Sequence, residues 1–293
     1  MQHRLEQAAP LWQGAGNASS RQPQRPAESL AMNFETIKLD VTSNIATITL
    51  NRPDDANALN AQMAQELFHA SVYCANDAEI RAVVITGTGR MFCAGGDLKD
   101  MHEQGEDKPA HVVRMATYLH AAITRFAHMD APVVMAVNGT AAGGGFSLAL
   151  AGDYVLAAQE AKFVSAYTAS GLTPDGSSTF YLAKHVGLLR AKELLFTNRR
   201  LSAEEACAWG IVNKVVPAAR LMEEAEELAA NFASGPTKAY GGLKRLLLTA
   251  YSDTMETQLE KETQGISGMM RTHDGPHGLE SFLDKNRPQF KGR

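Results

Sequence analysis

Two glycine-rich segments have the residue types of a site that stabilises an anion. They are MFCAGGDL (residues 91–98) and NGTAAGGG (residues 138–145), and each follows a short apolar run typical of a buried strand. Glycine lets the backbone approach a ligand closely and adopt a positive φ. A helix that begins at Gly144 or Gly145 would also present unpaired N–H groups at the positive end of its dipole.

Amide donors from the two loops would stabilise an enolate or a tetrahedral anion if they converged on one oxygen. One such donor typically lowers a barrier by roughly 3–4 kcal/mol. The alternative is that these glycines only form tight turns between strands and helices, and the loops alone do not decide between the two interpretations.

Two other short motifs are incomplete. The segment GFSLA (residues 145–149) half matches the G-x-S-x-G elbow of serine hydrolases, but its last glycine is missing and Ser147 falls within a predicted helix. The segment GTGRMF (residues 87–92) follows a strand as a dinucleotide fingerprint would, but Phe92 replaces the third glycine. Neither a hydrolase nor a dinucleotide-binding protein is favoured.

The elements that position these loops alternate between strands and helices. Apolar patterning predicts the following strands: 34–41, 44–51, 81–87, 131–139, 153–158, 161–166 and 210–216. Helices are predicted at 61–75 and 110–129, and most of the chain beyond residue 176 reads as helical. This order is typical of an α/β fold followed by a helical C-terminal part.

Bulk properties exclude several classes of protein. The 293 residues carry a formal net charge of −4, which argues against a dedicated nucleic-acid surface. Cys74, Cys93 and Cys207 are too scattered for a disulfide framework or a zinc site. No apolar run approaches the ~20 residues of a membrane span. Residues 1–31 lack the apolar centre of a secretory signal, so we expect a disordered extension or a misassigned start codon, and a cytoplasmic protein.

Five blocks of sequence, in order from residue 32 to the end, carry a family resemblance. They are NRP with NALN (51–60), FCAGGDL (92–98), NG with AGGG (138–145), SAEEA with WGIV (202–212) and FLDKNRP (282–288). Each block alone is weak, but the ordered set resembles the enoyl-CoA hydratase/isomerase (crotonase) superfamily.

The resemblance implies a fold and an assembly. Residues 32–230 would form a spiral of β-β-α repeats with the acyl-CoA site, and residues 231–293 a helical trimerisation region. A homotrimer or a hexamer is expected. The ligand would be an acyl-CoA thioester, with coenzyme A as part of the substrate and with no metal or redox cofactor.

The resemblance also implies site residues. The oxyanion donors would be the backbone amides of Gly96 and Gly144. The expected substrate-binding and CoA-binding positions are Asn57, Ala58, Ala94, Gly95, Asp97, Leu98, Tyr167 and Lys285, with Lys285 near the CoA phosphates.

The type of reaction depends on the acid–base residues. Hydratases of this family use two glutamates, and those positions fall on Ser147 and Tyr167. A phenol titrates near ~10, and neither hydroxyl is a good base at neutral pH. Hydration by the two-glutamate route is therefore disfavoured, although a hydratase with an atypical site stays open.

A carboxylate occurs instead at Asp175, within GLTPDGSS (residues 171–178). It resembles the single acid of isomerases in this family, which takes a proton from one substrate carbon and returns it to another. The expected reaction is therefore double-bond isomerisation of an enoyl-CoA. The structural alternative is that Asp175 caps the following helix.

Two further alternatives stay open. In 4-chlorobenzoyl-CoA dehalogenase an aspartate at the Asp175 position is the nucleophile, and a histidine matching His120 is the base. Against this, Tyr167 replaces a tryptophan of that enzyme, and His120 lies in an apolar helix where a packed or surface histidine is the commoner outcome. The loss of both glutamates would also suit a protein that binds acyl-CoA without catalysis.

The acyl group is not fixed by the sequence. Met101, Phe146, Tyr167 and Phe180 would either line an aromatic-acyl pocket or fill the core.

Overall fold

The computed structural model describes residues 33–293, which form ten strands and ten α-helices. The prediction of a disordered extension or a misassigned start codon concerns residues 1–31, which lie outside this range. The strands are β1 Ile37–Thr42, β2 Ile45–Leu50, β3 Ala82–Gly87, β4 Met91–Cys93, β5 Val133–Val137, β6 Thr140–Ala142, β7 Tyr154–Ala158, β8 Lys162–Val164, β9 Leu201–Ser202 and β10 Lys214–Val216. The helices are α1 Ala61–Asn76, α2 Leu98–Glu103, α3 Lys108–His128, α4 Gly144–Leu150, α5 Ser178–Thr197, α6 Ala203–Ala208, α7 Leu221–Ala233, α8 Thr237–Thr249, α9 Met255–Met269 and α10 Asp274–Leu283.

The strands form two sheets that are built up together. The larger sheet has the order β1-β2-β3-β5-β7-β10 and the smaller one β4-β6-β8-β9. From β3 to β8 each turn of the chain gives one strand to the larger sheet and the next to the smaller, and a helix follows before the next turn. In the last turn β9 joins the smaller sheet first, and β10 joins the larger sheet after α6. The predicted α/β spiral of β-β-α repeats is confirmed.

The central strands of the larger sheet are buried on both faces, which explains their continuous apolar sequences. In β3, Val83 and Ile85 face a core formed with α1 and α3, whereas Val84 faces a second cluster formed with α7. Every residue of β5 is buried. The buried polar residue of β3, Thr86, donates its hydroxyl to the Ala136 carbonyl, so polar groups for chemistry come from the loops at the strand ends.

Parallel pairing places the two glycine loops side by side. In the smaller sheet β4 and β6 are parallel, with Met91 opposite Thr140 and Cys93 opposite Ala141. The loop after Cys93 and the loop after Ala142 therefore leave the same edge of the sheet.

The two segments predicted as glycine loops each contain a short strand that the sequence did not indicate, β4 and β6. The predicted strands and helices agree with the structure except at one strand. The strand expected at residues 210–216 is confined to Lys214–Val216. Gly210 has a φ of +82°, and the amides of Ile211 and Val212 bond to the carbonyl of Ala206 at the end of α6. These residues close the helix instead of extending the strand.

The C-terminal part is helical, as predicted, and α8 to α10 expose many apolar side chains. The exposed residues are Leu243, Leu247, Tyr251, Met255, Leu259, Ile266, Met270, Leu279, Phe282 and Leu283. The expected division at residue 230 falls within α7, which packs on the larger sheet, and it stays a prediction. Among the helices described, none is long and apolar enough to cross a membrane.

Candidate active site

The backbone around Gly96 is held so that its amide stays unpaired. The amide of Leu59 donates to the Gly95 carbonyl at 2.7 Å, and the amide of Asp97 donates to the Leu59 carbonyl at 2.8 Å. These bonds fix the chain on both sides of Gly96, whose N–H has no acceptor within residues 33–293. The donor is therefore available to a ligand.

The amide of Gly144 is unpaired for a different reason. Gly144 is the first residue of α4, a position where the N–H has no partner within the helix. No acceptor for it occurs elsewhere in the described chain either. The prediction that a helix begins at Gly144 or Gly145 is confirmed.

The two loops approach each other closely. A Cβ added at Gly144 would lie 3.9 Å from the Gly96 nitrogen, and one added at Gly95 would lie 3.2 Å from the Gly144 nitrogen. Gly95 also has a φ of +96°, and its added Cβ would lie only 2.8 Å from the Ala142 carbonyl oxygen. Glycine is therefore required here by both space and conformation.

Both amides line one cavity of about 300 Å³. Of the predicted site residues, seven contribute to its lining, namely Ala94, Gly95, Gly96, Leu98, Gly144, Tyr167 and Asp175. The structure thus brings together the two glycine loops and the predicted acid.

Four predicted binding residues lie outside this lining. Asn57 is buried, and its amide group donates to the carbonyls of Thr88 and Met91, both at 2.9 Å. The Ala58 carbonyl accepts from the Arg52 guanidinium. Lys285 is exposed beyond α10. CoA binding by these residues stays a prediction.

Asp97, the fourth, has a structural role. Its carboxylate caps α2 by accepting from the amides of Lys99 and Asp100, and it pairs with Arg52 at 3.0 Å. Burial raises the pKa of Asp97, but these hydrogen bonds and the positive charge outweigh burial, so the pKa is lowered overall.

Asp175 does not cap the helix that follows it. The N-cap of α5 is Ser177, and no side chain caps that end. Instead, Oδ1 of Asp175 accepts a hydrogen bond of 2.6 Å from the Tyr167 hydroxyl, and Oδ2 lies 3.3 Å from Nε2 of His120. The capping alternative is wrong, and the carboxylate faces the cavity.

Tyr167 connects Asp175 to Ser147. Its hydroxyl lies 2.9 Å from Oγ of the buried Ser147, which also donates to the Asp175 carbonyl at 2.9 Å. Burial, followed by the negative charge of Asp175, raises the pKa of Tyr167. The phenol therefore stays protonated and acts as a donor. Ser147 lies inside α4 and not at a strand-to-helix corner, so it lacks the geometry of a hydrolase nucleophile.

His120 lies on α3 and contacts the same acid. Its Nε2 accepts the amide hydrogen of Gly176 at 3.0 Å. The same nitrogen lies 3.3 Å from Oδ2 of Asp175, so it contacts both an amide and a carboxylate. The side chain is half exposed, and its contact with Asp175 brings it to the edge of the site.

Comparison with known proteins identifies the family. The sequence model of the family described as "Enoyl-CoA hydratase/isomerase" matches residues 40–293 of this chain. The chain belongs to the enoyl-CoA hydratase/isomerase family. Like the members of that family, it is an enzyme that acts on acyl-CoA thioesters.

Individual members of this family are similar over most of their length. The 1,2-epoxyphenylacetyl-CoA isomerase of Escherichia coli (strain K12) is 38% identical over 89% of this chain and 100% of its own. The 4-chlorobenzoyl coenzyme A dehalogenase-2 of an Arthrobacter species is 36% identical, over 78% of this chain and 84% of its own. A crystal structure of an enoyl-CoA hydratase from Polaromonas sp. JS666 has a TM-score of 0.83 and 36% identity, covering 87% of this chain and 99% of that one.

In this enoyl-CoA hydratase/isomerase member, sequence reasoning missed the apolar wall of the cavity. Val112, Met115, Ala116 and Leu119 line it from α3. Their spacing places them on one helical face, a signal that the sequence contains, but the same spacing is also typical of an ordinary core face. Only the position of α3 beside the loops distinguishes the two.

Of the four residues considered for the acyl pocket, Met101 and Tyr167 line the cavity. Phe146 is buried in the main core, and Phe180 is exposed beside the ammonium group of Lys184.

Proposed function

We propose that this protein is an enoyl-CoA isomerase that moves a double bond between the β,γ and α,β positions of the acyl chain. One observation carries the proposal. Among the described residues that line the cavity, Asp175 alone has a side-chain carboxylate, and it shares this cavity with Gly96 and Gly144, whose backbone amides are unpaired. Isomerisation needs one group that can take and return a proton, and Asp175 suits that role.

The proposed mechanism begins with the thioester oxygen accepting hydrogen bonds from the amides of Gly96 and Gly144. Asp175 takes a proton from C2 of a 3-enoyl-CoA, and the electron pair of that C–H bond moves onto the thioester oxygen as a dienolate. The amides stabilise this negative charge. The protonated Asp175 then delivers the proton to C4, which gives the 2-enoyl-CoA. The proton leaves and returns on one substrate, so the reaction needs no metal or redox cofactor.

Hydration is disfavoured by the residues at the two positions where hydratases of this family have glutamates. Ser147 and Tyr167 carry hydroxyl groups there, and these bond to each other and to Asp175. A water molecule at this point would have no pair of carboxylates to hold and activate it. The relative named 1,2-epoxyphenylacetyl-CoA isomerase supports the choice of isomerisation.

The acyl group that fits the cavity is apolar. Aliphatic and thioether side chains from α2 and α3 form one wall of the cavity, including Met101 and Met115. Methionine adapts to irregular shapes, so a chain or a ring would be accommodated.

We also propose that the protein is a homotrimer or hexamer in the cytoplasm. The exposed apolar residues of α8 to α10 support self-association, because such patches mark interfaces. Light scattering should give a mass of three or six chains. The three cysteines are free thiols, which suits a reducing compartment.

A second candidate function is hydrolytic dehalogenation of an aryl-CoA, and one observation favours it. Nε2 of His120 lies 3.3 Å from Oδ2 of Asp175. In this reaction Asp175 would attack the ring carbon and displace chloride, and His120 would activate the water that hydrolyses the resulting ester. The Arthrobacter relative is named for such a reaction.

The experiment is incubation of the purified protein with 3-hexenoyl-CoA, crotonyl-CoA and 4-chlorobenzoyl-CoA, with products identified by mass. We expect 2-hexenoyl-CoA from the first and little hydration of the second. Asp175→Asn should lower isomerisation about 10²–10⁴-fold, the contribution of a general acid–base group, and leave acyl-CoA binding intact. Normal turnover by this variant would disprove the assignment. Chloride release from 4-chlorobenzoyl-CoA would favour the second candidate, and binding of 3-hexenoyl-CoA without turnover would favour non-catalytic binding.

A further inference from the structure

We infer that Tyr167 and Ser147 are positioning residues that fix one oxygen of the Asp175 carboxylate and leave the other to exchange the proton. This inference rests on the proposed isomerase function. Hydratases of this family have glutamates at these two positions, which hold a water molecule. In this protein, Ser147 and Tyr167 would hold the catalytic base instead.

The direction of the Tyr167 hydrogen bond is fixed by its single proton. The hydroxyl lies 2.6 Å from Oδ1 of Asp175 and 3.4 Å from the carbonyl oxygen of the same residue. The short contact joins a phenol to an ionisable carboxyl group, which is the pairing expected of a strong, charge-assisted bond. Tyr167 therefore donates to Oδ1.

Ser147 contacts both partners of that bond. Its Oγ lies 2.9 Å from the Tyr167 hydroxyl and 2.9 Å from the Asp175 carbonyl oxygen. Because the phenol proton is already donated to Oδ1, the single serine proton is donated to one of these two oxygens at a time. Ser147 also packs tightly against Gly176, the residue that follows Asp175. A Cβ added at Gly176 would lie only 2.8 Å from the Ser147 Cβ. The rigid α4 thereby fixes the phenol and the main chain of the acid together.

The two carboxylate oxygens consequently have different surroundings. Oδ1 accepts the short 2.6 Å bond from the phenol, whereas the contact of Oδ2 with Nε2 of His120 is longer, at 3.3 Å. The oxygen without a short hydrogen bond is the better proton acceptor. Oδ2 therefore takes the proton from C2, and the fixed orientation keeps it within reach of C4.

The test is a double-mutant cycle on 3-hexenoyl-CoA isomerisation. Tyr167→Phe should lower kcat about 10- to 100-fold while KM changes less than about threefold, since misplacing a reacting group by 1 Å costs about 10²-fold. Ser147→Ala should lower kcat less, and it should have little further effect when Phe occupies position 167, because the serine acts through the phenol. In the Asp175→Asn background, Tyr167→Phe should not reduce the residual rate further.

Two matched controls remove hydroxyl groups elsewhere. Tyr73→Phe changes a partly buried phenol on α1, and Ser71→Ala a buried hydroxyl that bonds only to the Phe68 carbonyl. Both should retain wild-type kcat. Thermal unfolding and acyl-CoA affinity of each variant show whether it is folded.

The outcomes separate the two proposals. If Asp175→Asn is inactive but a folded Tyr167→Phe keeps the wild-type kcat, the positioning role is wrong and the isomerase function stands. If the fold-loss of kcat in the double variant equals the product of the losses in Tyr167→Phe and Ser147→Ala, the serine does not act through the phenol. If the wild type does not isomerise 3-hexenoyl-CoA, the proposed function fails and this inference fails with it.

Discussion

The hydroxyl of Tyr167 lies 2.6 Å from Oδ1 of Asp175, and both residues lie in the connection between β8 and α5. Tyr167 comes after β8, and Asp175 precedes α5. The contact brings the acid to the wall of a cavity that also contains the amides of Gly96 and Gly144. The predictions below test the parts of this arrangement separately.

The oxyanion role of Gly144 can be tested by removing its N–H. Gly144→Pro deletes the donor at the first position of α4, where a helix tolerates proline. Without one donor, kcat should fall about 10²–10³-fold. Gly144→Ala is the control because it keeps the N–H, and its Cβ would lie 2.9 Å from the movable end of the Leu59 side chain and at ordinary contact distance, 3.9 Å, from the Gly96 nitrogen. Steady-state kinetics should show a far larger loss for proline, and equal losses would contradict the role.

His120 distinguishes the two candidate reactions. His120→Gln should lower isomerisation only about fivefold, the effect of one neutral hydrogen bond near 1 kcal/mol, because the proton passes between carbon and Asp175 without a second base. Any chloride release from 4-chlorobenzoyl-CoA should be lost. His69→Gln, which changes a histidine on α1, serves as a control. Loss of isomerisation as large as that of Asp175→Asn would mean that His120 takes part in the proton transfer.

The capping role of Asp97 predicts a pH-dependent loss of stability. Asp97→Ala should lower the free energy of unfolding by about 1–2 kcal/mol at pH 7, since it removes the cap of α2 and a partner of Arg52. The pKa of Asp97 is lowered by folding, so its contribution is present above the unfolded value of about 4 and is lost as the pH falls through the lower folded value.

Urea unfolding of the wild type and Asp97→Ala should therefore converge at acidic pH. Asp55→Ala is the matched control, because Asp55 pairs with the same Arg52 but is largely exposed. Its loss should be about 0.5 kcal/mol or less. A difference between wild type and Asp97→Ala that stays constant down to pH 3 would show that the charge of Asp97 contributes nothing.

Thiol labelling tests the burial of the first glycine loop. Burial raises the pKa of Cys93, which precedes that loop, to about 12, and that of Cys74 also to about 12. Both thiols should therefore resist iodoacetamide at pH 8 in the folded protein, because the thiolate is the reactive form. Peptide mapping should find Cys207, which is partly exposed, labelled first. Rapid labelling of Cys93 in the native protein would show that the loop opens.

Several features of this protein were readable from its sequence. The β-branched runs ending in glycine predicted the buried strands and the loops at their ends, because strands of a parallel sheet that are buried on both faces are mostly apolar. Gly144 at a helix start and the carboxylate at Asp175 were also predictable, since both depend on local residue type and order.

The partners of Asp175 were decided only by the tertiary structure. Local sequence allowed this residue to cap α5, but Ser177 takes the cap position with a φ of +68°. The carboxylate is then directed to Tyr167 and to His120, which lies 55 positions earlier in the chain. Contacts of this kind depend on how α3 packs beside the loop after β8, and on side-chain rotamers within that packing. The sequence therefore determined which groups are present, and the packing of distant elements decided which of them meet.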